Sequence, residues 1–189
     1  MPMIESVLGE AGLAWADLSL IGVTVGPGTF TGIRIGLAAA RGMALAGHLP
    51  IAGVGTCEAI AQAIPLEQRR GRTVIVAVDS KREDLFVQAF TDDLVALGPP
   101  VGMRPKDAVR LGSGPLLLAG DAAVQLLPFR SDAALAPEAL FPDARLVARL
   151  CKERYADGRA LPPEPIYLRP PDVTLPITCD SNGLSARPR

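Results

Sequence analysis

The sequence predicts an α/β protein, and three consecutive segments near its start support this prediction. Ile21–Val25 is a short apolar run, rich in β-branched residues and bounded by glycine, which is the pattern of a buried strand. Phe30–Gly47 contains no proline and many alanines, which favours a helix. Ile51–Val54 is again a short apolar run. A strand, a helix and a strand in this order are typical of a parallel sheet with a crossover helix.

The composition limits the size of the fold and excludes several functions. The chain has 189 residues, of which 49% are hydrophobic, so it can form one domain or two small lobes with a sizeable core. Its net charge of −1 gives no basic surface for binding nucleic acid unaided. No charge-free apolar run reaches the roughly 18 residues of a membrane span, and no signal peptide is recognisable. Three widely spaced cysteines favour reduced thiols and a cytoplasmic protein.

A glycine-rich loop joins the first strand to the long helix. Its residues are Gly26, Pro27, Gly28, Thr29, Phe30, Thr31 and Gly32. The glycines supply backbone freedom, the proline fixes φ between them, and either threonine can cap the helix. The turn can also hold an anion, because N–H groups converge at a helix N-terminus. The glycine spacing fits neither common phosphate loop, so we favour a capped turn and keep the phosphate site as the alternative.

The predicted helix Phe30–Gly47 is apolar on nearly every side. One face, at about 100° per residue, carries Phe30, Ile33, Leu37, Ala40 and Ala44. Another face carries Gly32, Gly36, Ala39 and Met43. The only charged residues of the helix are Arg34 and Arg41, which lie nearly in line. Such a helix needs cover on more than one side, so its small-residue face predicts close approach of another helix, from this chain or from a partner.

Further helices and strands are predicted on both sides of this unit. A first helix covers residues 2–11 and ends at Gly12, and another helix, capped by Thr56, runs to about residue 64. The basic loop 68–72 is predicted to be a solvated boundary between two lobes. The remaining predicted strands are Thr73–Val78, Asp84–Phe90, Leu94–Val101 and Pro115–Ala119, and the remaining helices are Pro105–Leu111, Gly120–Leu127 and Pro142–Asp157. The stripe predicted to be buried on the last helix is Ala144, Val147, Leu150, Cys151 and Tyr155.

No residue of the chain is predicted to be catalytic or to bind a metal. The single histidine, His48, follows the long helix in a turn, so neither a histidine pair for a metal nor a two-histidine site can form. Cys57 has no histidine nearby in sequence to act as its base, and we predict a structural role for it. Asp79 and Arg82 can be taken as an acid and its electrostatic partner, although hairpin turns use such residues routinely.

The stretch 25–56 closely resembles one protein family. The resemblance rests on Val25–Gly36, Ala40–Leu45 and Leu49–Thr56, and near the end of the chain on Pro165–Arg169. The family is TsaB (YeaZ), a subunit of the bacterial machinery that makes threonylcarbamoyladenosine in tRNA. The resemblance implies an actin-like, hexokinase-like two-lobed fold of the ASKHA (RNase H-like) class.

Family members begin with about three further strands, including an Asp-Thr strand turn, before the first helix of this sequence. We therefore expect a first lobe that is truncated at its N-terminus, either through a misassigned start or as a true truncation. The N-terminal lobe is expected in residues 1–70 and the C-terminal lobe in residues 71–165. A closing segment and a loose tail are expected in residues 166–189.

The resemblance implies a non-catalytic subunit. It pairs with TsaD, exchanges that contact for a homodimer through the same helices, and works with the ATPase TsaE. The complex transfers threonylcarbamoyl to the adenosine 3′ of the anticodon, with ATP and metal on the partner subunits and tRNA reached only through the complex. The alternative is an actin-like nucleotide-binding enzyme that uses the loop 26–32. The single histidine argues against a third possibility, a TsaD-like metal-dependent transferase, because that chemistry uses a pair of histidines on a helix.

The expected partner surface comes from the first helix and the long helix. The residues that form or support it are Ile4, Val7, Leu8, Phe30, Ile33, Arg34, Gly36, Leu37, Ala40, Arg41 and Met43.

Overall fold

The computed structural model describes residues 2–168, which form two β-sheets with helices packed on them. The helices are α1 (Pro2–Glu10), α2 (Phe30–Gly47), α3 (Thr56–Ala61), α4 (Leu66–Arg69), α5 (Pro105–Ala108) and α6 (Ala144–Ala156), with 3₁₀ turns at Trp15–Asp17 and Ala123–Phe129. The strands are β1 (Ile21–Thr24), β2 (Ile51–Val54), β3 (Thr73–Asp79), β4 (Leu85–Phe90), β5 (Val101–Met103), β6 (Leu116–Ala119) and β7 (Ala134–Leu135). The predicted tail, with Arg169 and Cys179, lies outside the described residues.

The first sheet pairs β1 with β2 in parallel, and α2 makes the crossover between them. One face of the sheet packs against α2, where Val23 of β1 and the adjacent Val25 pack with Leu37 of the helix. The other face packs against α6, where Leu150 and Cys151 meet the residues of β2. The predicted lobe boundaries placed α6 in the C-terminal lobe, but α6 packs on the first sheet. The chain therefore contacts the first sheet again after the strands of the second sheet.

The second sheet has five strands in the order β5-β4-β3-β6-β7. The predicted hairpin is confirmed, because β3 and β4 pair antiparallel from Val74↔Phe90 to Asp79↔Leu85. Strand β6 runs parallel to β3 on its other side. One face is covered by α3 and the other by α5 and the second 3₁₀ turn, which leaves the central strands almost fully buried. Two-sided cover accounts for the continuous apolar sequence of β3 and β6.

Helix α3 packs between the two sheets and contributes to the cores of both. Its Ile60 packs with the second sheet, whereas Ala59 packs with α6 beside the first sheet. Glu58 forms an ion pair with Arg154 of α6, and both side chains are largely buried. The predicted capping role of Thr56 is wrong. Thr56 is the first helical residue, and the N-cap is Gly55, which has no side chain to donate or accept a bond.

Four other segments differ from their predictions. The strand predicted at Leu94–Val101 begins only at Val101, because the preceding Gly-Pro-Pro sequence interrupts strand pairing. The predicted helix Gly120–Leu127 is a 3₁₀ turn that starts at Ala123 and contains a proline. On α6, the ends of the predicted stripe, Ala144 and Tyr155, are exposed. The predicted basic linker begins in α4, where Arg69 donates to the backbone oxygens of Ile64 and Asp92.

Within residues 2–168, none of the helices has both the length and the apolar character that crossing a bilayer requires.

The turn after β6 depends on one glycine. Gly120 has φ +95°, and a Cβ at this position would lie 2.0 Å from the carbonyl oxygen of Ala77. We expect Gly120→Ala to destabilise the fold by about 3 kcal/mol or more, because strain and a backbone clash add. Gly98→Ala is the matched control, since nothing lies within 4 Å of its Cβ position. Urea unfolding of both variants measures the difference, and equal midpoints would contradict this packing.

Candidate functional site

The glycine-rich loop 26–32 is a capped strand-to-helix turn. Thr29 is the N-cap of α2, and its hydroxyl accepts a hydrogen bond from the N–H of Gly32 at 3.2 Å. The carbonyl of Gly26 accepts from the N–H of Thr56 at 2.8 Å, which ties the loop to the start of α3. The Gly26–Pro27 peptide bond is cis. Of the two predicted caps, Thr29 is therefore the one used, and Thr31 lies exposed in the first turn.

A cleft of about 200 Å³ lies between this loop and the second sheet. Its polar lining includes Thr24, Thr29, Thr56 and Asp121, and the described lining holds no lysine or arginine. The hydroxyl of Thr29 is committed to the helix cap, and a carboxylate oxygen of Asp121 accepts from the N–H of Asp79 at 2.9 Å. A phosphate in this cleft would meet a carboxylate and no cation, which weakens the nucleotide-binding alternative.

A segment that we call the strap, residues 161–168, crosses the loop and the start of α2. Leu161 pairs with Gly53 through two backbone hydrogen bonds, and the N–H of Ile166 donates to the carbonyl of Val25 at 2.8 Å. A Cβ on Gly26 would lie 2.8 Å from the carbonyl oxygen of Ile166, so this glycine makes room for the strap.

Both arginines of α2 hold the strap. The guanidinium of Arg34 lies 3.7 Å from the ring centre of Phe30 and 5.6 Å from that of Tyr167, and its Nε donates to the Tyr167 hydroxyl at 2.8 Å. Arg41 donates to the carbonyl oxygen of Pro163. Stacking and hydrogen bonding by one guanidinium combine two favourable interactions. The predicted partner-binding arginines are thus occupied within the chain.

The α2 surface divides into three sectors. The core sector holds Ile33, Leu37, Ala40 and Ala44, which are buried against β1 and β2. The strap sector holds Phe30, Arg34 and Arg41. The remaining sector, which we call the open face, is uncharged and solvent-facing, with only Met43 partly covered. It consists of Thr31, Gly32, Ile35, Gly36, Ala38, Ala39, Gly42, Met43, Leu45, Ala46 and Gly47.

These sectors correct the predicted partner surface. Ile33, Leu37 and Ala40 belong to the chain's own core. They can therefore support an interface only by holding α2 in place, not by contacting a partner. Gly36 and Met43 lie on the open face, as the predicted small-residue face requires. Helix α1 buries none of its residues: Val7 is 59% exposed, and Ile4 and Leu8 are half-buried.

An apolar groove of about 450 Å³ runs along the open face. Its lining residues are Glu5, Trp15, Ala38, Ala39, Gly42, Met43, Ala46 and Gly47. The predicted partner surface left out Ala38 and Gly42, which both line this groove. Their signal was present as the small residues Ala38, Gly42 and Ala46, which recur every four positions.

The remaining candidate groups have ordinary structural roles. Burial raises the pKa of the Cys57 thiol to about 12, and burial also raises the pKa of Cys151. Hydrogen bonds from Lys81 lower the pKa of Asp79, which forms its ion pair with Lys81. His48 is exposed and ends α2 with φ +50°. Across the described residues, no three potential metal-binding side chains of the His, Cys, Asp or Glu types cluster together.

The two lobes, the crossover helix and the capped glycine loop define an α/β protein of the actin-like class. A family described as TsaD, tRNA N6-adenosine threonylcarbamoyltransferase, matches residues 1–99. An uncharacterized protein of Mycobacterium tuberculosis (strain ATCC 25618 / H37Rv) is 33% identical over 182 residues, which is 94% of this chain and 77% of the relative. The tRNA threonylcarbamoyladenosine biosynthesis protein TsaB of Escherichia coli K12 is 33% identical over 94 residues, covering 49% of this chain and 40% of that protein.

The solved structures agree with these relatives. A Pseudomonas aeruginosa crystal structure, described as an uncharacterized protein with similarity to peptidase YEAZ, superposes with a TM-score of 0.71 at 26% identity. The match covers 89% of this chain and 82% of that one. The chain belongs to the family described as TsaD, and its relatives include proteins named TsaB.

The burial of Cys57 predicts that its thiol reacts slowly in the folded protein. With a pKa of about 12, roughly one thiol in ten thousand is ionised at pH 8, so native Cys57 should not react with thiol reagents. In a Cys179→Ser background, we expect labelling of Cys57 and Cys151 only at the rate of unfolding. The reagent absorbance over time measures this, with urea-unfolded protein as the control. Rapid labelling of native Cys57 would contradict a purely structural role.

The Arg34–Tyr167 contact is testable by a double-mutant cycle. We expect Arg34→Met and Tyr167→Phe to show a coupling free energy of about 1 kcal/mol in urea unfolding, because each removes the same hydrogen bond. Tyr155→Phe combined with Arg34→Met is the control, since Tyr155 lies on α6, whereas Arg34 contacts Phe30 and Tyr167. A coupling free energy near zero for Arg34 and Tyr167 would show that the contact between them does not stabilise the strap.

Proposed function

We propose that this chain is a non-catalytic TsaB-type subunit that docks on a TsaD protein and supports threonylcarbamoyl transfer to tRNA. The observation that carries the proposal is the uncharged open face of α2, of which the described residues cover only Met43 in part. It lies beside α1, whose apolar side chains are also exposed. Contiguous exposed apolar surface of this kind marks a protein-binding site.

The small residues of the open face suit a helix as the partner element. Alanines and glycines let two helix backbones approach closely, and Ile35, which is 65% exposed, supplies an apolar anchor. Met3 and Val7 of α1 are also exposed apolar side chains. The proposed partner residues are therefore those of α1 and the open face, while Phe30, Arg34 and Arg41 act indirectly by holding the strap.

The side chains available favour a supporting role over catalysis. The single histidine caps α2, and the buried thiol of Cys57 is held in its neutral form. Of the acidic residues near the hairpin turn, Asp79 pairs with Lys81, Glu83 pairs with Arg104, and Asp121 accepts from the backbone N–H of Asp79. We place ATP, metal and the reacting groups on the partner subunits, TsaD and TsaE, and we place tRNA contact in the complex, in the cytoplasm.

The alternative, a nucleotide-binding enzyme that uses the loop 26–32, has less support. The cleft beside the loop is lined by Asp121 and no described cation, and its threonine cap is already used. An actin-like enzyme needs groups that stabilise negative charge on phosphates. ATP turnover by the purified chain alone would favour this alternative.

Reconstitution tests the proposed function. We expect TsaD with TsaE and threonylcarbamoyl-adenylate to form threonylcarbamoyladenosine in tRNA only when this chain is added, as measured by mass spectrometry of digested tRNA. We expect Gly42→Leu to weaken TsaD binding by about tenfold or more, because a bulky side chain keeps the helices apart. Gly36→Leu tests the opposite edge of the same face.

Matched controls separate interface loss from misfolding. Nothing lies within 4 Å of the Cβ positions of Gly36, Gly42 and Gly98, so leucine at each is expected to leave the fold intact. Replacing a helical glycine also favours the helix. Gly98→Leu lies on a loop of the second lobe and should bind TsaD normally. Unchanged affinity of both helix variants, measured by calorimetry, would refute the proposed interface.

A further inference from the structure

Helices α3 and α6 meet at a seam between the two lobes. Helix α6 packs on the first sheet through Val147 and Cys151, whereas α3 packs on the second sheet through Ile60. The two helices contact each other beside Ala59, which is fully buried. A rotation of one lobe against the other must therefore disturb either the packing of α3 on the second sheet or its contact with α6.

Two polar contacts join the helices along this seam. Arg154 of α6 donates from Nη1 to Oε2 of Glu58 at 2.7 Å, and its other terminal nitrogen pairs with the second carboxylate oxygen. Such a two-point contact fixes orientation as well as distance. Four residues further along, Gln62 accepts from Arg149 at 3.3 Å. Residues four apart share one helix face, so the two contacts hold α3 against α6 in one register.

The Glu58–Arg154 pair is shielded from water on both sides. The two side chains are 20% and 23% exposed, whereas Arg159 and Asp157, an ion pair just beyond the end of α6, are 69% and 53% exposed. Exposed ion pairs contribute little, because water and salt screen them. Separating a shielded pair leaves uncompensated charges, which is costly. Glu58 and Arg154 therefore oppose displacement of α3 along α6 far more than an exposed pair would.

The same seam holds the wall of the cleft beside the glycine-rich loop. The N–H of Thr56, the first residue of α3, donates to the carbonyl of Gly26 at 2.8 Å. The cleft is lined on the loop side by Thr29 and on the side of the second lobe by Asp121. Its width therefore depends on the angle between the lobes, and fixing α3 fixes both.

We propose that the Glu58–Arg154 pair fixes the angle between the two lobes, so that the cleft keeps one width and the two sheets move as a single body. Two-lobed proteins commonly rotate about the segment between their lobes unless the joint prevents it. Neither side chain lines the cleft, so the pair acts through the position of α3. The inference concerns the chain by itself and does not depend on the proposed partner.

Distances across the cleft test this inference on the full chain. Thr31 and Glu138 are exposed on opposite lobes, so cysteines placed there can carry spin labels. Cys179→Ser removes the remaining cysteine, whereas Cys57 and Cys151 are buried and stay unlabelled. Pulsed electron paramagnetic resonance then gives the distribution of distances between the two labels. We expect one narrow distribution for the chain with an intact seam.

Variants of the seam should widen this distribution. We expect Arg154→Met, and the milder Glu58→Gln, to broaden it by about twofold or more, because the lobes can then rotate. Arg159→Met is the matched control, since it removes an exposed ion pair near the end of the same helix, and it should leave the distribution narrow. Urea unfolding identifies any variant that does not fold, and Glu58→Gln, which keeps the size of the side chain, remains informative if Arg154→Met unfolds.

Three results would overturn the inference. One is a broad distribution in the chain with an intact seam, because the lobes would then rotate despite the ion pair. Another is a narrow distribution in folded Glu58→Gln and Arg154→Met, because the pair would then be dispensable. The third is equal broadening by Arg159→Met, because the effect would then not belong to the shielded pair.

Discussion

The packing of α2 on the first sheet is the constraint on which the rest of the structure depends. Four side chains at spacings of three and four residues, Ile33, Leu37, Ala40 and Ala44, attach the helix to β1 and β2. Burying a leucine or isoleucine contributes about 1.5–3 kcal/mol, so this narrow stripe is enough to fix the orientation of the helix. Because only one stripe is used, the other sectors are left for the strap and for the open face.

The strap lies close against the first sheet and along α2. Glycines at 26 and 53 let its backbone approach the first sheet, where a Cβ would meet the backbone of Ile166 or Leu161. Once seated, the strap binds both arginines of α2. The rest of the exposed helix surface consists of alanine, glycine, threonine and a few larger apolar residues.

Local patterns predicted the local features well. The bounds of α2, its Thr29 cap and its buried stripe follow from proline absence, capping preference and a period near 3.6, because each depends on neighbouring residues. The pairing of Arg34 with Tyr167 joins positions far apart in the chain, and no periodicity reveals it. For the same reason α6 was assigned to the wrong lobe: its stripe shows that it packs, but not on which sheet.

The loop and the open face place different demands on function. At the loop, Thr29 caps the helix, the Gly26 carbonyl holds Thr56, and Asp121 accepts from a backbone N–H, so these polar groups are satisfied within the chain. A group that is already satisfied gains little from a ligand. On the open face, by contrast, exposed apolar surface gains from burial against a partner. The difference in unsatisfied interactions therefore favours protein binding over nucleotide chemistry as the role of this chain.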